Sequence, residues 1–465
     1  MSTVNAAPAP LSKKAFFGMA LTIATPAMLQ NLISTLVSSA DTIMLGYVSQ
    51  NAMAASSLAN QLVTVLSMAF YGLVAATSVM VAQYWGKKDT ATIERILGLA
   101  LRVTLFVALA FFVAAFFFPA AVMKCFTTEE AIIREGVTYL RIVSFTYIMM
   151  GCSQIFVCVM RSMEKVVLPT VIYIVSLLTN ILINATFIFG LFGAPKLGLV
   201  GVAIGTVVAR AVELAICVIY SECFSSIKIR IKAIFGKAGI LMKDFLQLSL
   251  PSMANDVVWS LATTVYSMVM GRMGSDAVAA NAVAVMAVNI GAVVCRGFAG
   301  ATTIIVSKSL GANRIDEAKL YSARMIILTT FFGALGCGVV LLIKPLMISV
   351  YADKLTESAL ALLSSMLLFR GIQLIGEAVN TCLICGCFRG GGDAKYGMFA
   401  DMLLMWLVAV PLTLLTAFVL KLPTKWVYFV LCMDEFEKVI PFFAHYFKYK
   451  WLNNITRDES ELAAE

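Results

Sequence analysis

The sequence predicts an all-α integral membrane protein with twelve transmembrane helices in two six-helix lobes. Three observations carry that expectation. Of 465 residues, 61% are hydrophobic and 13% are charged, against about 45–50% and about 25% in a soluble domain. Apolar runs alternate with short charged connections, and the second half of the chain repeats the first. So little charge could not solvate the surfaces of several soluble domains. A span needs about 20 apolar residues, so this length holds roughly a dozen and leaves no room for a large soluble domain.

Reading the apolar runs in order places helices near 15–45, 52–84, 95–119, 131–160, 166–191 and 197–222. Six more follow near 243–270, 277–308, 319–347, 357–387, 396–419 and 426–447. The expected organisation is an N-terminal lobe over 13–222, a basic linker over 223–242, a C-terminal lobe over 243–450 and a tail over 451–465. Cations fall at every second connection: Lys13 and Lys14, Lys87 and Lys88, Arg161 and Lys165, Lys228 to Lys243, Lys308 to Arg324, Arg389 and Lys395, and Lys448 to Arg457. By the positive-inside rule those connections and both termini are cytoplasmic, and the formal net charge of +9 serves an anionic inner leaflet rather than nucleic acid. Met1 to Ser12 is polar and no small-residue cleavage site follows the first apolar run, so the first span is expected to remain as an anchor.

The two sixes are an internal repeat. A shift of 225 residues sets Pro26 on Pro251, Gly46 on Gly271, Ala54 and Ala55 on Ala279 and Ala280, and Gly72 on Gly297. It also sets Ala76 and Thr77 on Ala301 and Thr302, and Gly86 on Gly311, without a gap. Each half has an even number of spans, so both enter the membrane in the same sense. Such a parallel repeat turns about an axis along the membrane normal and leaves a cavity between the lobes, one architecture of secondary transporters. Pro26 and Pro251 bend the first helix of each lobe at matching depth, as a passive kink or a hinge.

Ionisable groups at membrane depth are functional candidates by default. Asp41 sits in the outer part of a long first helix beside Ser38, Ser39 and Thr42, and Asn180 and Asn184 share one face of the fifth. Carboxylate, amide and hydroxyl oxygens suit a hard monovalent cation, and the carboxylate suits a proton; capping of the helix end is the plain alternative. Asp256 and Glu377 lie at similar depth on two helices of the second lobe, without an adjacent cation in sequence. They suit a substrate cation or a proton, or else packing against Asn255 and Asn380. The last helix carries Asp434, Glu435, Glu437 and Lys438, with Asp434 and Lys438 placed four apart to neutralise one another; Arg210 and Glu213 on the sixth read as a structural pair.

Other chemistries find little support. The 11 cysteines are odd in number and mostly within apolar runs, and Cys382, Cys385 and Cys387 lack partners for a metal site, so they read as helix-packing residues. The single histidine, His445, and the absence of GxxxxGK[ST], HExxH and GxSxG argue against ATP hydrolysis and against an enzyme. Gly390, Gly391 and Gly392 read as a tight turn, and the 25 methionines could give part of a cavity a deformable wall.

The run from Pro26 to Gly46, ending Ser39-Ala40-Asp41-Thr42-Ile43-Met44-Leu45-Gly46, resembles the first helix of multidrug and toxic compound extrusion (MATE) transporters of the bacterial NorM/DinF kind. Gly201-Val202-Ala203-Ile204-Gly205-Thr206 is similar to their sixth helix, and Phe388-Arg389-Gly390-Gly391-Gly392-Asp393-Ala394-Lys395 to the loop after their tenth. The resemblance implies export of organic cations and drugs by alternating access, against inward sodium or proton flow and with no other cofactor. It implies an N-lobe coupling site at Asp41, Asn180 and Asn184, to which Thr206 of the sixth-helix run is added as a candidate, with sodium at Asp41 the only metal to consider. It implies a substrate or proton site in the C-lobe at Asp256 and Glu377; on the last helix, a transport role for Asp434 and Glu435 stands beside self-neutralised structure as the alternative. A monomer in the bacterial inner membrane is expected. The rival reading, a lipid-linked oligosaccharide flippase of the same superfamily, needs a cationic cavity lined by Arg141, Arg210 and Arg370.

Overall fold

In the computed structural model the described residues are 11–461, leaving out 47, 226, 229–233, 235, 237–238, 354 and 459. The side chains at 34–43, 46, 192 and 290 also lie outside the description. Among the described residues the chain is helical throughout, with no strand. The first lobe comprises α1 (Lys13–Gly46), α2 (Gln50–Lys87), α3 (Thr90–Phe117), α4 in two pieces (Glu130–Val143 and Phe145–Ser162), α5 (Val167–Phe189) and α6 (Leu199–Cys223). The second comprises α7 (Gly239–Arg272), α8 (Ser275–Gly311), α9 (Ile315–Tyr351) and α10 (Glu357–Thr381), the last continuing as the π-helical turn Cys382–Phe388. Two more spans complete it. In α11, Ala394–Leu404 and Val410–Leu414 alternate with the π-helical turns Met405–Ala409 and Leu415–Val419, and α12 is Thr424–Cys432 followed by Asp434–Phe447. All twelve expected spans are present, with α4 and α12 interrupted at Ser144 and Met433. Nine of the twenty residues of the expected linker, 223–242, lie outside the described residues.

Long apolar rods can reverse over a few residues because their ends are capped. The Ser49 hydroxyl accepts from Ala52 N at 3.0 Å to start α2, and Asp89 accepts from Thr92 N at 3.0 Å to start α3. Gly274, with φ +116, makes the equivalent turn before α8. Outward faces carry large apolar side chains in the open, among them Phe106, Leu342 and Ile440. Such faces are at home in hydrocarbon, and with every span helical the backbone polar groups are satisfied internally.

The lobes meet along α1, α2, α7 and α8, where α2 packs on α7 and α8, and α1 packs on α8. The contacts obey the repeat. Gly72 lies so close to Met253 that a Cβ would overlap it, and Gly297 lies in the same way against Met28. Nearer the basic end, Gly86 abuts the Lys308 carbonyl and Gly311 abuts the Gln83 carbonyl. A shift of 225 converts each contact into its mate. These matched glycines are therefore the places where two helices cross at backbone distance on the pseudo-twofold axis, and a side chain on either would force them apart. Thr77 and Thr302 each donate to a carbonyl one turn earlier, Leu73 and Phe298, at 2.8 Å.

A segment the sequence reading leaves as a tail is packed across this end. Trp451 is fully buried and stacks on Tyr446, and its carbonyl sits over Gly391, where no side chain would fit. From there the chain crosses to α2. Gln83 Nε2 donates to the carbonyls of Gly390 and Asn453, and Ile455 N donates to Gln83 Oε1 at 2.8 Å. Arg457 N donates to the Tyr84 hydroxyl, and both Asp244 oxygens accept from the Arg457 guanidinium at 3.0 Å. That charge-assisted pair holds the guanidinium above its ordinary pKa. Lys308 and Glu164 add an ion pair at 2.7 Å between the lobes.

Candidate functional site

Two helices that pack across the lobe interface carry the matched exposed stripes from which a vestibule between the lobes is inferred. On α2 the exposed positions include Met53, Ser57, Gln61, Thr64 and Tyr71, and on α8 they include Val278, Ala282, Met286, Asn289 and Arg296. These are the same five positions, 225 residues apart. Spaced by three, four and seven, they form one stripe per helix. Hydroxyls and amides on a spanning helix face water or protein rather than lipid. Past Gly300 and its mate Ala75, both helices run into the buried packing of the basic end. The vestibule is therefore open at the end away from the termini. Its floor is at Tyr71 and Arg296, about 22 Å from the basic end at 1.5 Å per residue.

In the first lobe, Asn180 and Asn184 are both buried on α5, and Asn184 Nδ2 donates to Asn180 Oδ1 at 3.2 Å. Gly205 on α6 makes room for them, since a Cβ there would overlap Asn184 Oδ1. Thr206 donates to the Val202 carbonyl at 3.0 Å. The backbone of Asp41 belongs to α1, which packs on α5, but its side chain lies outside the described residues. Arg210 pairs with the buried Glu213 at 2.7 Å, and Ser153 and Ser176 also donate to that carboxylate. This is the structural pair read from the spacing.

In the second lobe the candidate acids join a network that crosses five helices. Arg389 Nη2 reaches Asp256 Oδ1 at 3.3 Å and Asn255 Oδ1 at 3.2 Å, and Asn255 Nδ2 donates to Asp401 Oδ2 at 2.8 Å. Asp401 pairs with Lys438 at 2.9 Å, and Lys438 approaches Glu435 at 3.9 Å. Glu435 also accepts from Asn380 at 2.8 Å. One residue away, Asp434 accepts from Gln373, Gln373 accepts from Arg370, Arg370 Nε donates to the Tyr428 hydroxyl, and Tyr428 donates to Asn281. Glu377 is half-buried beside this network, with Glu435, Arg296, Arg370 and Lys438 acting on it electrostatically.

Two expectations change. Lys438 makes its close ion pair with Asp401 on α11 rather than with Asp434 four residues back, which Gln373 serves, so the local cancellation on the last helix is shared with a carboxylate from another helix. Asp256, without a cation nearby in sequence, receives Arg389 from the end of α10. Asp401, Arg389 and Arg296 were missed as site residues, since nothing local marks a partner delivered by another helix. Two of the rival's three arginines are engaged within their own lobes: Arg210 is held by Glu213, and Arg370 by Tyr428 and Gln373. Among the described residues no cluster of histidine, cysteine or acidic side chains could hold a metal ion.

The MatE family model matches residues 26–186 and again 251–415, once in each half. The chain belongs to the MatE family. Members of this family are transporters rather than enzymes, and this chain is one. It is similar to an uncharacterized transporter, YisQ, of Bacillus subtilis, at 21% identity with 92% of this chain and 93% of that one covered. It is 26% identical to a probable multidrug resistance protein, NorM, of Pseudomonas aeruginosa, covering 86% of this chain and 82% of the relative. Among solved structures it resembles an outward-facing multidrug resistance MATE family transporter, with a TM-score of 0.84 at 16% identity and 94% and 96% coverage. It also resembles a MOP superfamily transporter from Pyrococcus furiosus described as having a binding pocket of reverse polarity, with a TM-score of 0.81 at 17% identity and 93% and 96% coverage. The likeness in fold supports the twelve-helix, two-lobe MatE architecture.

Proposed function

We propose that this MatE transporter exports organic cations and drugs across the bacterial inner membrane, driven by inward movement of sodium or protons. The observation that supports this best is the pair of matched stripes on α2 and α8, which are open at one end and sealed by backbone-distance crossings at the other. Two lobes related by a parallel repeat can rock about that axis and move the seal from one end to the other. In this reading the lobes are 13–222 and 243–450, hinged by 223–242, in a monomer with both termini in the cytoplasm. The vestibule then faces outward.

Coupling is assigned to the N-lobe, at Asp41 with Asn180, Asn184 and Thr206. The C-lobe acids Asp256, Asp434 and Glu435 already have partners, so an entering ion would have to displace Arg389, Gln373 or Lys438. Glu377 is the C-lobe acid left to meet a cationic cargo. Ion and cargo exchange because each stabilises a different lobe arrangement, and the coupling equals the difference in their binding to the two.

The test is dye counterflow in liposomes under an imposed sodium or pH gradient. The wild type is expected to respond to one gradient, and Asp41→Asn to lose that response while remaining folded and able to bind dye. Gradient-driven efflux unchanged in Asp41→Asn removes the coupling assignment.

A further inference from the structure

The basic end carries a groove to which the proposed transport cycle gives no role. It runs between α7 and the start of α11, two helices that pack on one another and both begin at that end. Its volume is about 520 Å³, and Met242, Leu246, Leu250 and Pro251 line it between Lys243 and Lys395. The lobes are closed against each other at this end, so the groove opens to the surroundings of the bundle and not to the vestibule.

The groove is graded in polarity. Lys243, Leu246 and Leu250 are spaced by three and four and share one face of α7. Leu250 is 56% exposed and lies about 10 Å deeper than Lys243 at 1.5 Å per residue. On α11, Lys395 is followed at intervals of four by Phe399 and Leu403, both exposed. Each helix therefore presents a cation at its end and bare apolar side chains one to two turns further in.

The acids that could have neutralised these lysines are committed elsewhere. Beside Lys243, both Asp244 oxygens accept from Arg457. Two residues before Lys395, Asp393 accepts from Tyr396 N at 3.3 Å and meets His445 Nε2 at 2.8 Å. Among the described residues neither lysine takes part in an ion pair. Two ammonium groups above a bare apolar groove are complementary to a phosphate ester that carries acyl chains.

We propose that this groove is a binding site for an anionic phospholipid, with its phosphate between Lys243 and Lys395 and an acyl chain along Leu246 and Leu250. The lipid is a bound component of the transporter and not its cargo, so the inference stands independently of the efflux reading. Two cations brought to one groove by helices far apart in sequence set the site apart from basic residues that only meet the surface potential of a leaflet.

Purified full-length protein is titrated in detergent with dioleoyl phosphatidylglycerol or dioleoyl phosphatidylcholine, which share their acyl chains. Bound lipids are counted by native mass spectrometry. Wild type is expected to hold one phosphatidylglycerol about tenfold or more tighter than phosphatidylcholine. Lys243→Gln with Lys395→Gln is expected to remove that preference and leave phosphatidylcholine binding as in wild type, which also shows that the variant is folded. Leu246→Ser with Leu250→Ser is expected to weaken phosphatidylglycerol roughly fivefold or more through lost apolar contact. Lys13→Gln with Lys14→Gln, which removes the same charge from the same end, is expected to keep the preference within about twofold of wild type. A wild type that retains no lipid or does not distinguish the two overturns the proposal. So does a preference lost equally in the Lys13 and Lys14 variant, which would mean a diffuse field. Displacement of phosphatidylglycerol by an equal concentration of glycerol 3-phosphate would also overturn it, since the groove would then hold the phosphate alone.

Discussion

Lys438 illustrates what a single side chain does in this scaffold. It is almost fully buried, yet it holds a formal charge because Asp401 and Glu435 surround its ammonium. Removing one partner of a buried ionic cluster leaves the other charges uncompensated, at a cost of about 3–5 kcal/mol. Lys438→Met should therefore lower the unfolding temperature in detergent, and adding Asp401→Asn and Glu435→Gln should restore part of the loss. An unchanged midpoint for Lys438→Met would mean that the cluster contributes nothing to stability. The acids at membrane depth were legible in the sequence because hydrocarbon makes them rare. Their partners were not, because Arg389 and Asp401 come from other helices and no spacing rule reaches across a bundle.

At the level of elements, the segment 451–458 ties α12 of one lobe to α2 of the other and to the start of α7. Its anchors are the buried Trp451, the bonds at Gln83 and the Arg457 pair with Asp244. Most of that set must be given up whenever the basic end opens. Arg457→Ala combined with Trp451→Ala should lengthen the spin-label distance between Lys88 and Asn313, which sit one repeat apart at that end. Should that distance stay as in wild type, the segment is packing and not a latch. This role is not legible in the sequence, since 451–465 reads as polar and the partners at Gln83 and Asp244 lie about 370 and 210 residues away. Span boundaries, by contrast, were readable to within a few residues because apolar length and capping residues fix them locally. The break at Ser144 was not, because it lies between apolar stretches that could continue as one helix, and the break at Met433 falls where the charged run Asp434–Lys438 begins.

The whole molecule is organised by its axis. The register of 225 was visible because small residues at helix crossings cannot be replaced without moving both lobes; this is why Gly72, Gly86, Gly297 and Gly311 stood out amid otherwise ordinary apolar sequence. Gly311→Val should force α8 from the Gln83 carbonyl, an overpacking cost of about 1–3 kcal/mol, and bias the population toward an open basic end. Slower counterflow with unaltered dye affinity would register that bias, and wild-type rates would argue that the crossing is loose. The decisive experiment follows both ends of the vestibule at once. Spin labels at Met53 and Val278 report the open mouth, and labels at Lys88 and Asn313 report the sealed end. On adding dye in place of the driving ion, the first distance should shorten while the second lengthens. Two distances that move together, or a seal that never opens while dye is transported, would contradict alternating access between the lobes.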